Sequence, residues 1–224
     1  MNKYKILNLY GCLGGNRYKW DEVAKKANVE LEVTCIELDP ELARMYKERF
    51  PNDIVIVTDA HQYLLDHYKE FENGLIWTSP PCPTHSTIRM TQKTKTGFIP
   101  KYPDMMLYQE IIFLDNHFKG KYVVENVVPY YEPLIIAKKR GRHLYWTNFN
   151  LPNDLKSRKL GENLTYANQK NLENFHKIDL SDYKGKQRKD KIARNLVDYE
   201  AGKTILEAVF NIVSKSDVKQ IQMF

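Results

Sequence analysis

Cys82 stands in the run Trp77-Thr78-Ser79-Pro80-Pro81-Cys82-Pro83-Thr84-His85-Ser86, a thiol inside a proline-stiffened turn that follows a short apolar stretch. Proline fixes φ and removes a backbone donor, so such a turn presents the sulfur on a rigid loop. In open α/β sheets, ligands bind at the carboxyl ends of strands, and the loop after an apolar strand lies there. The chemistry on offer is nucleophilic attack by the thiolate. A proline turn with an incidental cysteine is the commoner event, so the neighbours must decide. His85, three residues on, is a tempting base, but such proximity is more often chance.

Glu125 closes the apolar run Tyr122-Val123-Val124-Glu125-Asn126-Val127. A carboxyl at the end of a buried strand must be paired, hydrogen-bonded or protonated. It is either half of a buried ion pair or an acid of raised pKa that can donate to a ring nitrogen. Further on, Lys139-Arg140-Gly141-Arg142-His143 carries two arginines that strand alternation would set on one face. They could grip a carbonyl oxygen or a phosphate, or simply form a basic edge strand.

Three of the chain's ten glycines fall in Asn8-Leu9-Tyr10-Gly11-Cys12-Leu13-Gly14-Gly15-Asn16-Arg17. A glycine-rich turn between strand and helix lets the backbone approach a ligand closely, although a tight connection alone would look the same. Glu37 ends the next apolar run and could accept hydrogen bonds from ribose hydroxyls. Asp59, with Ala60, ends the third, where a carboxylate could meet an adenine amino group. Each acid alone reads more often as a helix cap. Three polar strand ends flanking one glycine turn point to a nucleoside-cofactor site.

The elements that would position these groups alternate short β-branched runs with helical patterns, the mark of a parallel sheet built from βαβ units. Strands are expected at 4–9, 31–37, 53–57, 75–78 and 121–125, with helices across 17–27, 40–50 and 61–71. A long loop is expected over 84–103, and a helix over 104–118 burying Met105, Tyr108, Ile112 and Phe113. Leu134–Ala137 and His143–Phe149 read as a closing strand pair. Residues 150–191 read as a polar, irregular insertion, and 199–213 as a terminal helix with Ile205, Leu206, Val209 and Phe210 inward. The expected division is a catalytic unit over 1–149, a small basic insertion over 150–193, and a segment over 194–224 that returns to the first.

With 224 residues the chain can bury a full core. Its three cysteines, at 12, 35 and 82, lack paired or metal-ligand spacing, so neither a disulfide framework nor a zinc knuckle is expected, and a reduced, cytoplasmic setting is. No apolar run reaches membrane-spanning length. The net charge of +6 is uneven: residues 150–194 hold eleven Lys or Arg against six Asp or Glu, and 84–101 hold four cations and no acid. Such clustering suits a polyanionic partner, although a solvated lysine-rich face is equally common.

Taken in order, these motifs resemble those of the DNA cytosine-5 methyltransferases, especially the compact forms of phage and mobile elements, over roughly 4–149 and 194–210. Asn8–Gly15 is similar to the family's glycine turn, Cys82 to its proline-cysteine nucleophile, Glu125-Asn126-Val127 to its Glu-Asn-Val motif, and Arg142 to the second arginine of its Arg-x-Arg motif. Arg194-Asn195-Leu196-Val197 resembles the late motif that folds back on the cofactor. The chain departs from the pattern at Asn8, Cys12, Pro83 and Arg194, where Asp, Gly, Gln and Gly are usual. The resemblance implies a Rossmann-like, S-adenosylmethionine-dependent methyltransferase fold with a mostly parallel, doubly wound sheet. It also implies Cys82, Glu125 and Arg142 as the catalytic set. Tyr10, Gly11, Gly14, Gly15, Asn16, Glu37, Leu38, Asp59, Ala60, Ser79, Pro80, Asn195 and Val197 would hold the cofactor. Pro81, Thr84, Ser86, Arg89, Asn126 and Arg140 would meet the substrate. Double-stranded DNA is the implied partner, with a flipped cytosine as the reacting base. No metal is expected, and a monomer or weak dimer is. Lys156, Arg158, Lys159, Lys184, Lys186 and Arg188 of the insertion would lie along the DNA backbone.

Overall fold

The computed structural model describes residues 2–153, 155, 158 and 168–212. Five parallel strands, β1 (Asn2–Leu9), β2 (Val29–Glu37), β3 (Ile54–Val57), β4 (Leu75–Thr78) and β5 (Lys121–Val127), are joined by β6 (Lys138–Arg140) and β7 (His143–Thr147). Their order is β3-β2-β1-β4-β5-β7-β6, with β7 antiparallel to both neighbours. The order reverses between β1 and β4, so their carboxyl ends border a crevice.

Alternation along the strands builds two cores. Ile6, Leu75, Trp77 and Val123 face one side, where they meet Trp20 and Val23 of α1 (Trp20–Ala27) and Ile205, Leu206 and Val209 of α7 (Tyr199–Val209). Leu7, Leu9, Ile76 and Val124 face the other, against α3 (Ala60–His67) and α4 (Met106–His117). A two-residue period sending neighbours to opposite layers is what a sheet covered on both faces requires.

α2 (Pro40–Arg49) begins with proline at its first turn, and the Asp39 carboxylate accepts from the Glu41 and Leu42 amides as N-cap. A buried ion pair sits beneath the glycine turn: Arg17 Nε and Nη2 donate to the two Asp53 oxygens at 3.0 Å each, and Tyr46 Oη donates to Asp53 Oδ2 at 2.9 Å. It ties the start of the first helical segment to the approach to β3.

Three expectations are corrected. Leu134–Ala137 is not a strand; the basic Lys138–Arg140 pairs with β7 instead. In α4 the buried face is Leu107, Tyr108, Glu110, Ile111 and Leu114, whereas Met105 and Ile112 are exposed. The polar insertion contains α5 (Gln169–His176) and α6 (Lys189–Asn195), and its Leu172, Leu180, Tyr183, Ile192 and Ala193 bury against Leu13 and Leu42. Lys156, Lys159 and the segment after 212 lie outside the described residues.

Candidate active site

A cavity of about 660 Å³ opens at the reversal point of the sheet. Its walls bring together Tyr10, Gly11, Gly15, Asn16, Glu37, Leu38, Asp59, Ala60, Ser79, Pro80, Asn195 and Val197 of the expected cofactor set, together with Pro81, Cys82, Glu125 and Asn126.

At one end the chain leaves β1 through a tight turn in which Gly14 takes φ +66° and Gly11 N–H donates to Ile36 O at 3.0 Å. A Cβ on Gly15 would lie 2.4 Å from Val197 O, so only glycine lets the late segment close over the turn. Gly14 itself packs against Phe50 and Tyr46 and does not line the cavity. Glu37 Oε2 accepts from Cys12 N–H at 2.7 Å and Oε1 from Asp39 N–H at 3.0 Å, which fixes the carboxylate at the cavity wall. Burial raises its pKa, and those backbone donors oppose the rise. Asp59 caps α3 through the Gln62 N–H and also lines the cavity. Cys12 reaches the wall as well, whereas Cys35 is fully buried. A fixed carboxylate, a second acid, the exposed Leu38 and a glycine-bearing turn on one cavity wall could hold an adenosyl group.

At the other end is Cys82. Asn126 Nδ2 donates to Pro80 O at 3.0 Å, and Asn126 is buried. The residue expected at the substrate is therefore also the strut that sets the proline turn. Burial and the Glu125 charge push the Cys82 thiol up, while Arg142 and Lys191 pull it down. Burial pushes Glu125 up to about 7, opposed by a hydrogen bond from Ser79 and by the Arg142 charge. Arg142 lies in the β6–β7 turn; its Nη2 donates to Arg194 O at 2.6 Å, and its charge acts on both Cys82 and Glu125.

Arg140 does not share its direction, because a turn interrupts the strand between them. Its Nη2 donates to Pro152 O at 2.9 Å and its Nη1 to Lys139 O, away from the cavity. Thr84, Ser86 and Arg89 also stay off the cavity wall. Thr84 Oγ1 accepts from Asp104 N–H, Ser86 Oγ from Ile88 N–H, and Arg89 Nη2 donates to Ile99 O, so all three brace the loop that follows the thiol. His85 is fully buried; its Nδ1 lies 2.5 Å from Tyr131 Oη, and burial lowers its pKa, so it pins the loop from within.

Sequence reasoning missed Met106, His143, Gln187, Lys191, Ile192 and Arg194 on the cavity wall. His143 Nε2 lies 3.5 Å from Glu125 Oε1. Burial and then Arg142 drive its pKa down to about 3, so the contact is between a neutral imidazole and the carboxyl group and is not an ion pair. Lys191 and Arg194 come from α6, which runs from the end of the basic insertion into the late motif, and the three-residue spacing between the two cations was a signal available in the sequence. Arg188 in the same segment donates through Nε and Nη2 to the two Asp190 oxygens at 3.0 Å each. Among the described residues no group of three His, Cys, Asp or Glu could hold a metal ion, and no helix is long and apolar enough to cross a membrane.

No family model matches the chain, and no curated protein does. Among solved structures, the Entamoeba histolytica methyltransferase EhMeth is similar over 96% of this chain and 100% of its own, with a TM-score of 0.60 and 9% identity. A triple mutant of Spodoptera frugiperda DNMT2 is 24% identical over 55% of this chain, with a TM-score of 0.38, and the match spans only 35% of that chain. A TehB-like SAM-dependent methyltransferase from Corynebacterium glutamicum follows at 16% identity over 57% of this chain and 56% of its own, with a TM-score of 0.33. The last two likenesses are too distant to bear on chemistry. At 9% identity the first speaks for the fold alone. That fold is Rossmann-like, a seven-stranded, mostly parallel sheet.

Proposed function

We propose that the chain methylates carbon 5 of a cytosine extruded from double-stranded DNA, drawing on S-adenosylmethionine and a transient covalent bond from Cys82. The reading rests on one observation: Cys82 and Glu125 open onto the same cavity as Glu37, Asp59 and the glycine turn, and the Arg142 charge reaches both reacting groups.

Glu37 would hold the ribose hydroxyls, Leu38 the face of the adenine, and Asp59 with Ala60 its amino edge. Bound S-adenosylmethionine supplies an electrophilic methyl on sulfonium. Extrusion of the base is required because a stacked pyrimidine hides both faces of carbons 5 and 6. Cys82 Sγ, as thiolate, adds to carbon 6 while Glu125 gives its proton to ring nitrogen 3, so no negative charge accumulates on the pyrimidine. Carbon 5 then carries the methyl group and loses its proton to water; the carbon–sulfur bond breaks, Cys82 leaves as thiolate, and nitrogen 3 returns its proton to Glu125. Arg142 supports the thiolate electrostatically and is the candidate for the base's carbonyl oxygen.

The test uses purified protein, S-adenosylmethionine with a labelled methyl group, and parallel duplex DNA and structured RNA substrates. The expected result is 5-methylcytosine in duplex DNA, its loss in Cys82→Ala with cofactor binding retained, and a protein–DNA adduct at Cys82 with 5-fluorocytosine. Undiminished methylation by Cys82→Ala would end the covalent route, and label confined to RNA would reassign the substrate.

A further inference from the structure

Glu110 is the most completely buried carboxyl of the described residues, at 0% exposure on α4, and neither the thiol chemistry nor the ribose clamp uses it. Three donors converge on it. Tyr10 Oη donates to Oε1 at 2.6 Å, Thr78 Oγ1 to Oε2 at 2.6 Å, and His61 Nδ1 lies 3.0 Å from Oε1. A buried carboxylate held by hydroxyl donors and one imidazole forms strong, charge-assisted bonds, and removing a donor leaves the rest of the set under-satisfied.

The donors come from three different places around the cavity. Tyr10 directly follows β1 and forms part of the cavity wall; its φ of +57° is a left-handed conformation that a bulky aromatic residue holds only under constraint. Thr78 ends β4 and directly precedes the Ser79-Pro80-Pro81-Cys82 turn. His61 sits in the first turn of α3, two residues after Asp59.

We propose that Glu110 is the positioning residue of the active site, one carboxylate that sets the Tyr10 wall of the cofactor cleft through one oxygen and the base of the thiol turn through the other. The proposal rests on the cofactor and thiol roles argued above. It divides Glu110's work into two arms. The Tyr10 arm holds the aromatic ring against the cofactor, and the Thr78 arm holds the strand end from which Cys82 is carried.

The hub also has a pH dependence. The hydrogen bond to Glu110 is the main reason that the His61 pKa is raised, and Asp59, Asp104 and Tyr10 are the other titratable groups near it. An imidazolium there neutralises Glu110, and that support is present at low pH and lost as pH rises through the raised His61 value.

The two arms separate in kinetics. In the full chain, Tyr10→Phe deletes only the hydroxyl and is expected to raise the KM for S-adenosylmethionine about tenfold with kcat held. Thr78→Val is expected to lower kcat about tenfold with that KM held. Glu110→Gln is expected to shift both and to abolish the weakening of cofactor binding expected of wild type as pH rises through the raised His61 value. Should Glu110→Gln fail to fold, the two single-arm variants carry the test. If all foldable variants lose thermal stability but keep KM and kcat within twofold of wild type, or if the two arms exchange their effects, the proposal is overturned. Wild-type protein that binds no S-adenosylmethionine would instead remove the cofactor reading itself, and this inference with it.

Discussion

The Glu125 carboxyl and the His143 imidazole face one another across the antiparallel β5–β7 ladder, Oε1 to Nε2 at 3.5 Å. His143 pairs with Val127 in that register, so its side chain slants back toward Glu125 on the same face of the sheet. His143 adds no positive charge there, and burial raises the Glu125 pKa to about 7, so the protonated acid persists toward neutral pH. That is the form able to donate to a ring nitrogen.

The activity should follow two opposed protonation states. Glu125 must keep a proton that it loses near pH 7, and Cys82 must lose one that burial holds above its ordinary value. When the acid titrates below the nucleophile, the productive form is a minority with a bell-shaped profile. Methylation is expected to rise to about pH 7, level off, and fall only above the thiol's pKa. Measurement of kcat/KM against pH checks this; in Glu125→Gln the residual rate should keep climbing on the alkaline side.

Glu125 should also oppose stability. Its folded pKa is raised, so the folded state binds the proton more tightly and stability falls as pH rises between about 4.5 and 7. Glu125→Gln is expected to be more stable than wild type above pH 7, by up to about 3 kcal/mol, while methyl transfer is severely reduced. Urea unfolding at pH 5 and pH 8 measures it, the gain appearing only at the higher pH.

The Arg17–Asp53 pair is fully buried and bidentate, so deleting one partner strands a charge. Arg17→Leu is expected to cost about 3–5 kcal/mol. Chemical denaturation would report it, and cofactor affinity should drop in parallel because the glycine turn rests on this pair.

Gly15→Ala would place a methyl 2.4 Å from the Val197 carbonyl oxygen. The backbone of the late segment must retreat, so the expected loss is in cofactor binding, about tenfold or more, with the melting temperature little changed. Calorimetric titration with S-adenosylhomocysteine distinguishes the two.

Asn126→Ala releases the Pro80 carbonyl from its 3.0 Å bond. The turn that carries the thiol loses its strut, and kcat is expected to fall by a factor of about ten, with the KM for the methyl donor unchanged in steady-state assays.

The central strand β4 was legible because an apolar run buried on both faces leaves a continuous signal, and Leu75–Thr78 has the bounds expected of it. Edge strand β6 was not, since Lys138-Lys139-Arg140 has the charged composition that protects a sheet edge. The apolar Leu134–Ala137 drew the assignment, although Leu134 and Ile136 are exposed. In α4 the phase was misjudged because Glu110 occupies the inward face and Ile112 the outward one, against hydrophobic patterning. A buried carboxyl satisfied by Tyr10, Thr78 and His61 leaves no periodic trace, as its partners are 32 to 100 positions away. In the insertion, a few apolar anchors such as Leu172 and Ile192 suffice to dock α5 and α6, too few to stand out among so many charges.

The contact between Gly15 and Val197 spans most of the polypeptide. During synthesis the turn that carries Cys82 and its strands emerge from the ribosome well before the segment around Val197. The wall of the cavity beside Gly15 is therefore completed only when that late stretch folds back over it.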